Sequence, residues 1–398
     1  MSSRLLYGAI AAMLVATACG GPGGQAESAS RTAQGITPSV IKLGTTLPLT
    51  GGAASSGQAF KAGLEASVEE INSTGGINGR KLELTILDDG FEPARSVANI
   101  LRLTQQDKVF ALDMPVGSAE IPGSYPLVKR IGIPMFGPYL PPDPDMPSVF
   151  QVATPHNEQG QILADWLAEQ GVSKVAYIGQ DNDFGHAVRD GLKEGAAKAG
   201  IEVVAVGLTE TNSTNVSPAV LSTKKANPEA IVLGTDNTQT ALVLKQARQL
   251  GWNPMFVGDS SAASTGTQVS VGPAGEAANG LYGAAVAALP NGVGNDAVKR
   301  YRAAMEKSAP DQADSLYALI AYGTNQVFFH ILEQMGDDLT WSGFQKTAEA
   351  LSGFETGLLP PITFGPLPGG HTGGHGVLLA QYENGQWTTK TDFLTVKK

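Results

Sequence analysis

Residues 41–89 read IKLGTTLPLTGGAASSGQAFKAGLEASVEEINSTGGINGRKLELTILDD, and the succession of patterns inside this stretch decides the fold. The β-branched run Val40-Ile41-Lys42-Leu43-Gly44 predicts a buried strand. A loop rich in Gly, Ser and Thr follows from Thr45 to Gly57. Phe60, Leu64, Val68 and Ile71 then recur at i, i+4, i+8 and i+11, one apolar stripe at helical period. Gly75-Gly76 ends that helix, and Lys81 to Leu87 alternates into a second strand. The polar loop thus stands at the carboxyl end of the first strand, where open α/β sheets bind ligands.

The alternation continues outward. Ala94, Val97, Leu101 and Thr104 mark a second helix, and Val109 to Leu112 a third strand. Val116-Gly117-Ser118 opens a helix with Ile121, Tyr125, Val128 and Ile131 on one face; Ile133 to Phe136 is the next strand. Its exit, Gly137 to Asp145, is too rich in proline for helix interior. A second series follows, with helices over Ile162–Leu167, Phe184–Ala196 and Ala241–Leu250 and strands at Val175–Ile178, Val203–Val206, Ala230–Leu233 and Met255–Val257. Strands separated by helices demand parallel sheets covered on both faces, an α/β class. Further helices are expected near 295–307, 312–335 and 341–351, and a hairpin turning at Glu383-Asn384-Gly385 closes the chain.

With 398 residues the chain exceeds what one core usually supports, so two lobes are expected. Apolar residues make up 42% and charged residues 16%, a globular composition, and the net charge of −10 argues against nucleic acid as a partner. Met1 to Arg4 and the apolar run Leu5 to Ala18 form a targeting segment too short to span a bilayer. Cys19 is the only cysteine, so no disulfide can form within the chain. Ala16-Thr17-Ala18-Cys19 resembles a bacterial lipobox, which implies cleavage before Cys19 and its diacylation, with Ala16 where leucine is usual; an ordinary secretory signal is the alternative. Gly20 to Pro38, without apolar period, is expected to be a flexible tether.

Pro48-Leu49-Thr50-Gly51, Ser56-Gly57-Gln58, Glu70-Ile71-Asn72, Gly75-Gly76-Ile77, Gly79-Arg80 and Asp88-Asp89 together carry a family resemblance. In order and spacing they are similar to the opening of the type I periplasmic binding proteins, in the branch that serves branched-chain amino acid ABC transporters. The resemblance extends over nearly all of the chain after the leader. It implies two Rossmann-like lobes with parallel central sheets, joined in a Venus-flytrap arrangement by a hinge of three crossings. Lobe 1 would comprise residues 39–153 and 285–369, with Leu281 to Val286 returning to it, and lobe 2 residues 154–284 and 370–398, after a leader at 1–18 and a tether at 19–38. It further implies a monomeric, lipid-anchored extracytoplasmic receptor that delivers a small carboxylate-bearing solute, a branched-chain or related amino acid by family default, to an ABC permease with ATPase subunits. A sensor feeding a signalling partner, or a binder of aromatic acids, amides or small peptides, are the rivals. No cofactor, metal or catalysis is implied.

Candidate site residues follow. Ser118, with Gly117, stands after a strand at an expected helix start and either meets a ligand carboxylate, as its counterpart does in the family, or only caps the helix. Tyr139, Leu140 and Pro141 replace the small hydroxylated residues of relatives, which puts an α-amino acid ligand in doubt and makes Tyr139 an aromatic wall or a stiff loop residue. Phe184 matches a ring that packs on ligand, or belongs to the core. Asp236 or Asp259, with Ser260, could meet a ligand ammonium or be solvated. Ser56 occupies the place of an aromatic lid and implies a roomier site. Gly258-Asp259-Ser260-Ser261-Ala262 grazes a nucleophile elbow but lacks its last glycine. His371 and His375 are four apart, but the glycines around them favour a hinge loop over a metal helix.

Overall fold

The computed structural model describes residues 33–51, 53–117, 120–139, 146–211, 213–263, 271–292 and 294–397, all within one compact unit. The opening stretch folds as β1 (Val40–Leu47), α1 (Ala54–Ser73) and β2 (Lys81–Asp88), the two strands parallel from Val40↔Lys81 to Leu47↔Asp88. Then come α2 (Pro93–Gln105), β3 (Ala111–Asp113), α3 (Tyr125–Ile131), β4 (Met135–Phe136) and β5 (Val149–Phe150). All five strands are parallel, in the order β2-β1-β3-β4-β5.

A second sheet repeats this plan. The chain runs α4 (His156–Glu169), β6 (Lys174–Gln180), α5 (Asp183–Ala199), β7 (Glu202–Thr209), α6 (Ser217–Lys225), β8 (Ala230–Gly234), α7 (Asn237–Gln249), β9 (Met255–Gly258), α8 (Ser260–Ala263) and β10 (Tyr282–Ala285). The order β7-β6-β8-β9-β10 is again second, first, third, fourth, fifth. Next, α9 (Asp296–Ser308) and α10 (Leu316–Gln334) pack on α1, and α11 (Trp341–Glu349) packs on α10. The tail, β11 (Gly376–Glu383), β12 (Gln386–Thr389) and β13 (Leu394–Thr395), rejoins the second sheet, β11 running antiparallel to β10. Glu383 pairs with Gln386, so the hairpin turns on Asn384 and Gly385 alone, at φ of 52° and 86°.

The first core is organised on α10, apolar around its circumference and buried accordingly. Phe328 stacks on Phe136 of β4 with ring centroids 4.8 Å apart. α1 lies so close to α10 that a Cβ on Gly63 would stand 2.1 Å from the Ala318 carbonyl oxygen, which only glycine permits.

Four expectations change. The strand at Leu281 to Val286 is β10, bonded to β9 and β11, so it belongs to the second sheet and the chain leaves for the first only beyond Ala285. In α2 the buried face is Ser96, Ile100, Leu103 and Thr104, while Leu101 is exposed; the small Ser96 on the buried side hid the register. α6 escaped notice because its inward residues, Ala219, Val220 and Thr223, make a thin stripe. Residues 33–38, the end of the expected tether, dock on the first lobe: Ala33 N–H donates to Leu339 O at 2.8 Å, and Gln34 Nε2 donates to Thr104 O and Val109 O. Cys19 and the leader lie outside the described residues.

Three crossings join the sheets: after β5, after β10 and before β11. The first and third are laced together. Gln151 N–H donates to His371 O and Gly373 N–H to Gln151 O, each at 2.8 Å, and Gly376 N–H donates to Thr154 Oγ1 at 3.1 Å. His371 is buried, stacked 3.9 Å from the Phe150 ring, with Nε2 at 3.0 Å from Glu349. His375 Nδ1 lies 2.8 Å from Glu158, a contact that raises the imidazole's pKa above its ordinary value. Each histidine therefore faces its own carboxylate inside the hinge. Crossings tied to one another bend together and resist swivelling.

Candidate functional site

The carboxyl ends of the strands of both sheets converge on one cavity of about 600 Å³. From the first sheet it receives Ser56, Phe91, Val116, Gly117 and Tyr139, with Phe60 and Tyr317 behind them. The second sheet supplies Asp183, Phe184, Ser260 and Ser261, and the first crossing supplies Gln151, His156 and Gln159. A side cavity of about 330 Å³ shares Tyr139, Phe184 and Ser260 and adds Gln180 and Asp236.

Local chemistry sets each wall. The loop after β1 is pinned by Asp88, whose Oδ1 accepts from the amides of Leu49, Thr50 and Gly90 and whose Oδ2 accepts from Thr50 Oγ1 and Arg95. Desolvation alone would raise this carboxyl, but those donors, Thr50 foremost, hold it at about 2. Thr50 is consequently used to anchor the loop. Ser56 donates to Ala53 O at 2.8 Å in the first turn of α1 and stays small at the wall. Tyr139 packs 5.2 Å from Phe60 and 6.2 Å from Tyr317, and burial, with the nearby Tyr317 and Asp259 charges, pushes its phenol above the usual range, so it remains a neutral ring. Phe91 sits at the rim, exposed and at φ of 63°, a left-handed conformation that a bulky residue seldom adopts.

On the opposite wall Asn182 caps α5 by accepting from Gly185 N–H at 3.0 Å, which fixes Phe184 in the first turn. Phe184 meets the His156 ring edge-on at 4.7 Å. Asp236 caps α7 through Gln239 N–H at 2.8 Å, and its second oxygen accepts from Gln180 Nε2 at 2.7 Å. Asp259 is fully buried and does not line the cavity; it stands behind His156, with Oδ2 at 2.8 Å from His156 Nδ1 and Oδ1 accepting from Ala262 N–H at 2.9 Å. Gln159 fastens the same corner, accepting from Ser260 N–H at 3.0 Å and donating to Thr154 O at 2.9 Å.

Of the residues expected from sequence, Ser56, Gly117, Tyr139, Phe184, Asp236 and Ser260 are brought together at the cleft. Ser118, Leu140 and Pro141 lie outside the described residues. The helix expected to begin at Ser118 starts later, with a 3-10 turn at Pro122–Ser124 that leads into α3. Pro122 has no N–H to give and Ile121 N–H bonds back to Gly117 O at 3.4 Å, while the amides at 118 and 119, on which the expected carboxylate site depends, lie outside the described residues. Glu120, read as serving that helix's first turn, is buried ahead of it. His156, Gln159, Phe91 and Tyr317 were not foreseen. Only Pro155-His156, at the threshold of an apolar helical pattern, offered a signal.

A cavity between two doubly wound sheets, walled at their carboxyl ends, matches known proteins in sequence and in shape. The model of the family described as Periplasmic binding protein matches residues 40–386. The chain belongs to the periplasmic binding protein family. Within it, the chain is 25% identical over 324 residues to the leucine-, isoleucine-, valine-, threonine- and alanine-binding protein of Pseudomonas aeruginosa, covering 79% of this chain and 83% of that one. The crystal structure of a branched-chain amino acid ABC transporter protein from Thermus thermophilus with bound valine superposes with a TM-score of 0.74 at 17% identity, covering 90% and 97% of the two chains. A fatty acid ABC transporter substrate-binding protein from Thermomonospora curvata gives 0.73 at 21% identity, covering 93% and 95%. At such identities the structures attest the shared fold. As a periplasmic binding protein, the molecule is a solute binder and not an enzyme.

Proposed function

We propose that this periplasmic binding protein is the extracytoplasmic receptor of an ABC importer, anchored through acylated Cys19, which captures a small carboxylate-bearing solute between its lobes and presents the closed form to a membrane permease and its ATPase subunits. The observation that carries this reading is the cavity itself: its walls come from both sheets and from the crossing between them, so hinge bending buries a solute on all sides. The relatives named for branched-chain amino acids make that chemistry the family default. Aromatic residues on both walls extend the range to larger apolar acids.

A thermal-shift screen of the mature protein against amino acids, aliphatic and aromatic acids, amides and short peptides tests it. A ligand held only by the folded state at a hundred times its Kd stabilises by about 2.7 kcal/mol, a rise in Tm of a few degrees. No shift with any of these classes would defeat the reading. Cys19→Ala should move the protein from the membrane fraction to the soluble one; retention on the membrane would remove the anchor.

A further inference from the structure

Asp259 and Asp236 of the second lobe are the acids expected from sequence to meet an ammonium, and both are already engaged. Asp259 gives one oxygen to the Ala262 amide and the other to His156 Nδ1, at 2.9 and 2.8 Å. Asp236 gives its oxygens to the Gln239 amide and Gln180 Nε2, at 2.8 and 2.7 Å. The remaining carboxylate on the wall, Asp183, is exposed at the mouth in the first turn of α5, where the helix dipole favours it.

What the lobe does present is an oriented imidazole. Asp259 is fully buried and holds Nδ1, the edge of Phe184 packs against the ring at 4.7 Å, and His156 lines the cavity with no partner for Nε2 among the described residues. A carboxylate behind one ring nitrogen fixes the other as the group offered outward. Around it are Phe60, Phe91, Tyr139, Tyr317 and Phe184, and the volume of about 600 Å³ lies in the range that encloses drug-sized molecules.

We infer that the solute is an apolar monocarboxylate with no ammonium beside its acid group, and that its carboxyl group binds His156 Nε2 through one proton held between them, while Nδ1–H is given to Asp259, which acts as the positioning residue. The inference deepens the reading of the cleft as the solute site and rests on it. An amino acid would set its ammonium against the proton-bearing edge of the imidazole, and among the described residues the cavity's one lining carboxylate, Asp183, is exposed to solvent at the mouth.

The test is isothermal titration of the mature protein with three matched pairs that differ by the amino group: 4-methylpentanoate and leucine, 3-phenylpropanoate and phenylalanine, octanoate and 2-aminooctanoate. In at least one pair the plain acid should bind tenfold or more tightly than its amino acid. His156→Ala should weaken that acid tenfold or more and narrow or reverse the ratio, because Asp259 Oδ2 is uncovered; His156→Gln, which keeps a donor, should fall between. Asp259→Asn should erode the same ratio, whereas a purely structural role would lower the melting temperature and leave the ratio unchanged. If the amino acids bind as tightly as the acids, or if the ratio survives His156→Ala, the inference is overturned and the solute-receptor reading stands. If none of the six binds and the wider screen is also blank, both fail.

Discussion

Of the carboxyl groups fully buried near the cleft, Asp259 in one half of the molecule and Asp113 in the other are kept in opposite ways. Asp259, at the end of β9, has an amide on one oxygen and an imidazole on the other. Asp113, at the end of β3 and three residues before cleft-lining Val116, has Asn325 as its polar neighbour, yet neither oxygen is in a well-formed hydrogen bond among the described residues. Asn325 spends Nδ2 on Ser67 Oγ at 2.8 Å, and its own Oδ1 lacks a donor. Desolvation with so little compensation pushes the Asp113 carboxyl up to about 7. A proton on Asp113 would supply a donor where Asn325 has none. One lobe has thus surrounded its buried acid with donors and turned it to use at the cleft; the other holds an acid that its core tolerates best when neutral. Burial alone does not tell the two apart. The partners do.

The largest expected effect comes from Asp113. Its folded pKa lies above its unfolded value of 3.8, so stability is full below pH 4 and lost as pH rises to about 7, while the unfolded chain ionises and the folded one resists. About three pH units at roughly 1.4 kcal/mol each make the loss up to about 4 kcal/mol. Asp113→Asn should remove that slope and leave the protein more stable at pH 8, read by denaturant unfolding at pH 5 and 8. A wild-type slope that persists in the variant would show that another group is responsible. Asp259→Ala should act in the other direction and cost about 2–3 kcal/mol, because it strands the buried Ala262 amide and frees His156. A variant as stable as the parent would mean that the second lobe does not depend on its paired acid, and the contrast between the lobes would dissolve.

The alternation of periods made the two sheets legible, because a strand buried on both faces and a helix with one apolar stripe cannot be exchanged. The final hairpin was legible too, since Asn384-Gly385 supplies the two left-handed residues of its turn. The site was only half legible. Residues such as Tyr139 and Phe184 could be placed because they follow strands, and the fold sends strand ends to the cleft. Pairing could not be read: His156 and Asp259 are 103 residues apart, and nothing local to either announces the other. Asp113 terminates an apolar run whose reading stops at Leu112, so its burial beneath α10 was invisible until the helix was placed. The start of α3 was misjudged because the pattern of Ile121, Tyr125 and Val128 is helical, while Pro122 and Pro126 delay the backbone that should carry it.

Phe91 sharpens the contrast at the rim, with the smallest expected effect. Gly90 and Phe91 are successive left-handed residues, and the turn is held by Phe91 N–H donating to Asp89 Oδ1 at 3.0 Å. Glycine would take this conformation without strain, so keeping phenylalanine costs about 1 kcal/mol. Phe91 as a residue is 44% exposed, which rules out core packing as the compensation and leaves the cleft, whose wall it joins along with Ser56. Phe91→Gly should therefore leave stability unchanged or raise it by up to about 1 kcal/mol, since the backbone entropy of glycine offsets part of the relief. Apolar acids should bind roughly three- to tenfold more weakly, the loss of part of one aromatic contact. Phe91→Ala separates the two causes, because it keeps the left-handed strain and removes the ring: affinity should fall as in the glycine variant while stability does not rise. If both variants bind like the parent, the first lobe's aromatic wall ends at Tyr139 and Tyr317, and the strain at Phe91 belongs to the turn alone.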